Sequence, residues 1–311
     1  MKKYLLLLLT HCSFFALFSQ DIIIPEHIKA FHQKLEIAIN ENQKFKDNPD
    51  NMDLLDAAIT AYDELLRMEF SEKAYGYLYT SFADLLAQKG DYEIAFEYYD
   101  LAYDLKKLTA EEFGYPVHRQ YFEKDPLLFN EYNKKKKEYE DNAANYYTPR
   151  EQELRTKIEQ MLEADQFARH NYLDYPNIMP HTDSINMADL VYLLENYPEY
   201  DDPLRAIHPW AGFIIYRHIF TAYPDFWLTY FEPRARKALL VGEYDPWGYA
   251  RTFDRCMITS GKAEYSYYGA WDNDGENVNP DAEAVDKRRV NLGLPLLKDK
   301  PSEEGRAFIT Y

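Results

Sequence analysis

Cysteine is nearly missing from this chain: Cys12 and Cys256 are the only two in 311 residues. Cys12 lies in an N-terminal apolar stretch. If that stretch is removed, Cys256 stands alone and no internal disulfide can form, so packing has to supply the stability. Cys256 itself reads as a small buried hydrophobe rather than a nucleophile. Positive charge is also scarce, with 35 Lys and Arg against 53 Asp and Glu and a net charge of −18. Such a surface repels nucleic acid and anionic lipid. Beyond the N-terminal stretch no run is apolar enough to span a membrane. There is no phosphate-binding glycine loop, no nucleophile elbow and no Cys–His pairing. His170, His181, His208 and His218 do not have zinc-ligand spacing. Asp272-Asn273-Asp274-Gly275-Glu276 has a calcium-loop look, but placing Gly275 at the sixth position puts Ala270 first, where a carboxylate is needed, so it reads as a surface turn. The sequence therefore points to no metal and no cofactor.

What is present begins with Met1-Lys2-Lys3 and apolar runs over Tyr4–Leu9 and Phe14–Phe18. A basic start, a short apolar core and a small residue near Ser19 describe a secretory signal peptide over residues 1–20. The protein is thus expected to be exported, to a periplasm or the cell exterior. Bulky His11 argues against lipid attachment at Cys12. The remaining chain, about 290 residues, is long enough for one large or two modest cores. Tyrosine is abundant, with 29 copies. These follow helical spacing, which makes them amphipathic filler more readily than a sugar-stacking surface.

Hydrophobic spacing predicts helices over 25–47 and from Asn51 to about Phe70. Thr148-Pro149-Arg150-Glu151 combines a capping residue, a first-turn proline and the glutamate of a capping box, and starts a helix to about Tyr172. The domain boundary is placed there, giving a helical region over 21–147 and a C-terminal domain over 148–311. Further helices are expected over Asn186–Tyr197, from Pro209 through His218, over Asp225–Val241, from Asp245-Pro246 to about Phe253, and from Asn279-Pro280 to Gly293. Arg255–Ser260 and Glu264–Tyr268 read as two strands of a hairpin around Gly261-Lys262. The basic run Lys134–Lys137 is flanked by Glu131, Glu138, Glu140 and Asp141, and reads as a solvated helix face.

Two resemblances follow from these residues. Tyr79, Phe82, Ala83, Leu86, Gly90-Asp91-Tyr92, Ala95, Tyr99 and Ala102, in that order, resemble a tetratricopeptide repeat, lacking only the usual proline near Lys107. One such pair cannot bury its own faces, so neighbouring helices must cap it. Residues 150–298 resemble a bacterial domain family of unknown function. The resemblance rests on Asp165-Gln166 with Arg169, Asp183 with Asn186 and Leu190, His218, Tyr249-Ala250 with Asp254-Arg255, Tyr268-Gly269, and Val285-Asp286 with Arg288-Arg289 and Leu292-Gly293-Leu294. Ser266, Ala270 and Arg217 depart from that pattern. The resemblance implies a mainly helical domain with a small hairpin and supplies no reaction.

Asp165 and Arg169 lie four apart on a face shared with Ile158 and Met161, and Arg289 shares a face with Val285 and Leu292. Interior guanidinium groups need acceptors. The expectation is one polar cluster of Asp165, Arg169, His218, Asp254, Arg255, Tyr268 and Arg289. As a scaffold it would be a sealed ion-pair network. As a site, His218 or Asp254 would move protons while Arg169 and Arg289 hold an anion. The fold class read from the sequence is mainly α: tetratricopeptide-like hairpins plus a helical domain with one β-hairpin. The function it favours is an exported binding or scaffold protein taking a protein or peptide in its helical-repeat groove, over residues 50–107. The alternative is an enzyme acting on an anionic substrate through the Asp/Arg/His cluster.

Overall fold

The computed structural model of the protein describes residues 21–299, apart from 201, 203, 205, 206 and 271–278. The signal peptide expected over 1–20 and the calcium-like turn at 272–276 lie outside the described residues. The longer helices are α1 (Glu26–Asp47), α2 (Met52–Leu66), α3 (Tyr77–Lys89), α4 (Tyr92–Asp104), α5 (Pro126–Asn142), α6 (Pro149–His170), α7 (Ile178–Asn196), α8 (Pro209–Ala222), α9 (Glu232–Leu240), α10 (Pro246–Thr259) and α11 (Ala282–Asn291). Among the described residues there are no strands, and no helix is long and apolar enough to cross a membrane.

The first helix belongs to two cores at once. Ile28 joins Ile22 and Ile24 in a core built from α6 to α10 with Leu292 and Leu294 just past α11, while Phe31, Leu35, Ala38 and Phe45 face a second core shared with α2 to α5. The segment before α1 is anchored on the later core, where the Ile24 amide donates to the Asn291 carbonyl at 3.0 Å. Gly293, just past α11, makes this seat possible. Its φ is +71°, and a Cβ there would lie 3.2 Å from the Lys29 Cα. A side chain at this position would be strained in its backbone and would push α1 away.

The helix pair α3–α4 follows from its sequence pattern. Ala83 and Ala95 are fully buried where the helices touch, and Tyr79, Phe82, Leu86, Tyr99 and Ala102 are buried beside them. Gly90 takes a left-handed conformation between them, and the Asp91 amide donates to the Leu86 carbonyl at 2.9 Å. The α1–α2 pair packs on one side of this pair. On the other, Tyr103 stacks on Tyr139 of α5 at 4.1 Å between ring centroids. The tyrosines here fill the core as rings and satisfy their hydroxyls at its edge, as Tyr103 does on the Tyr139 carbonyl.

The expected hairpin is corrected. Residues 255–259 continue α10, because Ala250, Phe253, Cys256 and Met257 are all buried along one helical stripe that the strand reading divides. β-Branched Ile258 and Thr259 favour a strand locally, and the buried stripe overrides them. Gly261 is a helix stop rather than a hairpin turn: its φ is +69°, and the Lys262 amide donates back to the Met257 carbonyl at 2.9 Å. Residues 264–270 form an irregular loop whose amides turn inward. Two further boundaries move. Helix α7 starts at Ile178 rather than near Asn186, and the span 225–241 carries a π-helical turn at Trp227–Phe231.

The capping box at Thr148 forms as the sequence implies. Thr148 Oγ1 accepts from the Glu151 amide at 3.2 Å and the Glu151 carboxylate accepts from the Thr148 amide at 2.8 Å. Glu151 also holds Lys106 Nζ at 2.6 Å and the Tyr200 hydroxyl at 3.1 Å, so one side chain ties the end of α4 to the start of α6. Burial acts to raise its carboxyl, but Lys106 and Thr148 outweigh that and hold it at about 2, below the ordinary 4.5. A depressed carboxyl stabilises the folded chain above its unfolded value and loses that contribution as the pH falls through the folded one. Urea unfolding of Lys106→Met should show a loss of about 1 kcal/mol at neutral pH, allowing for solvent screening. The variant should also lose less stability than the wild type between pH 4.5 and about 2.

Candidate functional site

The seven residues expected to meet in one cluster are divided among three places. The first is the loop after α10. Asp254 is 0 % exposed. Its carboxylate accepts from the Ser266 hydroxyl at 2.5 Å and from the amides of Tyr267, Tyr268 and Ala270 at 2.8, 2.9 and 2.9 Å. Burial pushes its carboxyl up to about 6, against the pull of that hydroxyl and those amides. Arg289, also 0 % exposed, approaches the same loop from its carbonyl side. It donates to the Tyr268 carbonyl at 3.0 Å and the Pro295 carbonyl at 2.6 Å, and its guanidinium lies 5.5 Å from the Trp247 ring centre. The peptide groups around Tyr268 therefore stand between the two charges, amides toward the anion and a carbonyl toward the cation. This opposes the expectation of direct Asp–Arg contact. Both groups are sealed in and bound to backbone, which suits them to fixing the loop rather than to handling a substrate.

The second place joins α6, α7 and α8. Asp165 is 0 % exposed and receives His218 Nδ1 at 2.8 and 2.9 Å from its two oxygens, Arg169 at 3.3 Å and Gln166 at 3.0 Å. Arg169 also pairs with Asp183. Burial raises the Asp183 carboxyl above its usual range, while Arg169 opposes the rise. The His218 side chain is 25 % exposed, so a sealed carboxylate orients a histidine that reaches solvent. Such an arrangement fixes the tautomer of an imidazole and leaves Nε2 as the ring nitrogen for proton exchange. Asp183 was not among the residues expected here. Its signal was its spacing to Asn186 and Leu190, both buried on the same face of α7.

Arg255 is in neither group. It lies partly buried on α10 without a carboxylate partner among the described residues.

A further feature escaped the sequence reading. A cavity of about 350 Å³ opens between α1, α2, α3 and the segment 107–118. Ile39, Asn42, Gln43 and Lys46 of α1 line one wall, Tyr62 of α2 and Tyr77, Thr80, Ser81 and Asp84 of α3 the next, and Lys107, Glu112, Tyr115 and His118 the third. Asp84 accepts from His118 Nδ1 at 2.7 Å and from the Tyr99 hydroxyl at 2.5 Å. The Thr80 hydroxyl is buried without a partner. His118 lies outside the repeat pattern, on a single-turn helix at Pro116–Arg119, so only the fold brings it to Asp84.

Comparison with known family models, with curated proteins and with solved structures found no match. What the chain displays is an all-helical fold with packed helix pairs, and neither resemblance is extended to membership of a family.

The loop arrangement has a measurable consequence. Asp254→Asn presents an NH₂ group to amide donors and leaves part of that set unpaired, which should cost about 3 kcal/mol in chemical denaturation. Ser266→Ala removes one donor and should cost about 1 kcal/mol. Equal stability of Asp254→Asn and wild type would contradict the assignment.

Proposed function

We propose that the protein is an exported binding protein that takes an extended peptide segment in the groove of its N-terminal helix pairs. The observation that carries this reading is the open cavity of about 350 Å³ between α1, α2 and α3, a size within the range of ligand pockets. Its lining favours a peptide. Asn42 already donates to the Tyr62 hydroxyl at 3.5 Å and Gln43 to Asp47 at 2.8 Å, which leaves their amide oxygens, with the Ser81 hydroxyl, to match the N–H and C=O groups of an extended backbone. The acids that line it are engaged: Asp84 holds His118 and Tyr99, and Glu112 closes the capping box at Thr109. Tyr77 and Tyr115 add apolar faces for side chains. Grooves of helical repeats serve this purpose widely, and that support is by analogy of fold. Export rests on the character of residues 1–20.

A second reading is favoured by one feature, the solvent-reaching His218 held by the sealed Asp165. In it the C-terminal domain performs acid–base chemistry on an anionic substrate near Arg169. The sealed positions of Asp254 and Arg289 give it no support, so His218, Asp165 and Arg169 alone would carry it. In that case diethyl pyrocarbonate should acylate His218 of the wild type faster than that of Asp165→Asn, by peptide mass mapping, while identical rates would count against it.

Panning a random peptide phage library on the purified chain tests the groove. Enriched peptides, synthesised and followed by fluorescence anisotropy, should bind the wild type at least about tenfold more tightly than Ser81→Arg or Asn42→Arg. Melting temperatures of the variants should stay close to that of the wild type. No enrichment, or enriched peptides that bind all three proteins equally, would remove the groove from consideration.

A further inference from the structure

Helix α3 turns one stripe of side chains to the cavity. Thr80 and Ser81 stand one turn after Tyr77, and Asp84 one turn after them, and all four line the space. Asp84 is the acid of the stripe. Its two hydrogen bonds, from the Tyr99 hydroxyl at 2.5 Å and from His118 Nδ1 at 2.7 Å, fall on the same oxygen, Oδ1. Among the described residues Oδ2 receives no hydrogen bond, and the side chain is 21 % exposed. Tyr99 and His118 thus hold the carboxylate in place and leave its other oxygen for a group outside the chain. A neutral imidazole can supply the Nδ1–H of that contact, so the contact does not by itself cancel the charge of Asp84. The Thr80 hydroxyl, one turn before Asp84, is buried and also lacks a partner. A carboxylate oxygen and a hydroxyl on consecutive turns call for a donor that can serve both.

A positively charged donor suits this place better than a neutral amide. Hydrogen bonds from a cation to a carboxylate are roughly twice as strong as neutral ones. The rings of Tyr62, Tyr77 and Tyr115 line the same cavity, and aromatic faces attract a cation. The net charge of −18 draws cationic ligands toward the molecule. Two lysines also line the cavity, Lys46 on α1 and Lys107 on the segment 107–118, and each already interacts within the chain. They stand on the other walls and not on the stripe that carries Asp84.

Resting on the peptide groove, we propose that Asp84 Oδ2 is the subsite for a basic side chain, arginine or lysine, of the bound peptide. The guanidinium or ammonium group donates to Oδ2 and to the Thr80 hydroxyl. The apolar lining of Ile39, Leu78 and Leu108 takes the methylene stem. Asn42 and Gln43 then meet the peptide backbone, and Asp84 selects which peptides are held.

The peptides enriched by panning, synthesised with acetylated N-termini, provide the test. They should share an Arg or a Lys. Replacing that residue by its uncharged counterpart, citrulline for Arg or norleucine for Lys, should weaken binding to the wild type about tenfold in fluorescence anisotropy. Asp84→Asn removes the charge and keeps an oxygen for Tyr99 and His118. It should bind the basic peptide about tenfold more weakly than the wild type does, and the uncharged peptide equally well. A change in the shape of the groove would weaken both peptides alike and would contradict a charge contact. If Asp84→Asn fails to fold, the peptide series on the wild type decides, with Glu at the basic position binding more weakly still. Enriched peptides without a shared basic residue, or equal binding of charged and uncharged peptides, would overturn the subsite. The groove would survive that result if Asn42→Arg still blocked the same peptides. Loss of binding on acetylation alone would assign the contact to a terminal amine and overturn the side-chain subsite. No enrichment at all would remove the groove and the subsite together.

Discussion

The buried carboxylate of Asp254 organises the end of the C-terminal domain. A loop with no regular structure is held inside a helical protein because its amides have a common acceptor. Without that acceptor, residues 266–270 would carry interior N–H groups with no strand or helix to pair them. Arg289 completes the arrangement by binding the opposite side of the same peptide chain. Two opposite charges thereby hold the same peptide chain from its two sides in a dry interior, the carboxylate on amides and the guanidinium on carbonyls. The helices that carry them, α10 and α11, are locked to one loop, and the seat of α1 beside Gly293 follows directly after α11. The position of the first helix, and through it the alignment of the two cores, thus depends on this region.

Much of the helical framework could be read from the amino acids. Thr148-Pro149 and Asp245-Pro246 mark helix starts through side-chain caps that do form. The alternation of small and large residues from Tyr79 to Ala102 encodes the contact of α3 with α4. The failures have a common cause. Gly261-Lys262 is compatible with both a hairpin turn and a helix stop, and only the buried stripe through Cys256 and Met257 decides between them. Grouping Asp254 and Arg289 with Asp165 came from a sound rule, that interior charges need partners, applied to side chains alone. Backbone groups supplied the partners, and no residue pattern announces a carboxylate bound by a loop. Asp84 and His118 are 34 positions apart in sequence, so their meeting is a property of the fold.

Placing Asp254 and Arg289 in the scaffold narrows where activity can reside. Among the described residues, two polar features stand apart from that loop: the cavity beside α3 and the histidine on Asp165. They differ in character. The cavity offers amide and hydroxyl groups and aromatic faces, with Lys46 and Lys107 also on its walls. The histidine offers an oriented imidazole. Both stand on helices packed to one of two cores, and only the first helix is common to both.

The central claim, that a sealed carboxylate holds the 266–270 loop, is most directly tested by amide hydrogen exchange in the native state. The amides of Tyr267, Tyr268 and Ala270 should exchange as slowly as those in the middle of α10, because releasing them requires the domain to open. Exchange within about tenfold of the rate for an unstructured peptide would contradict it.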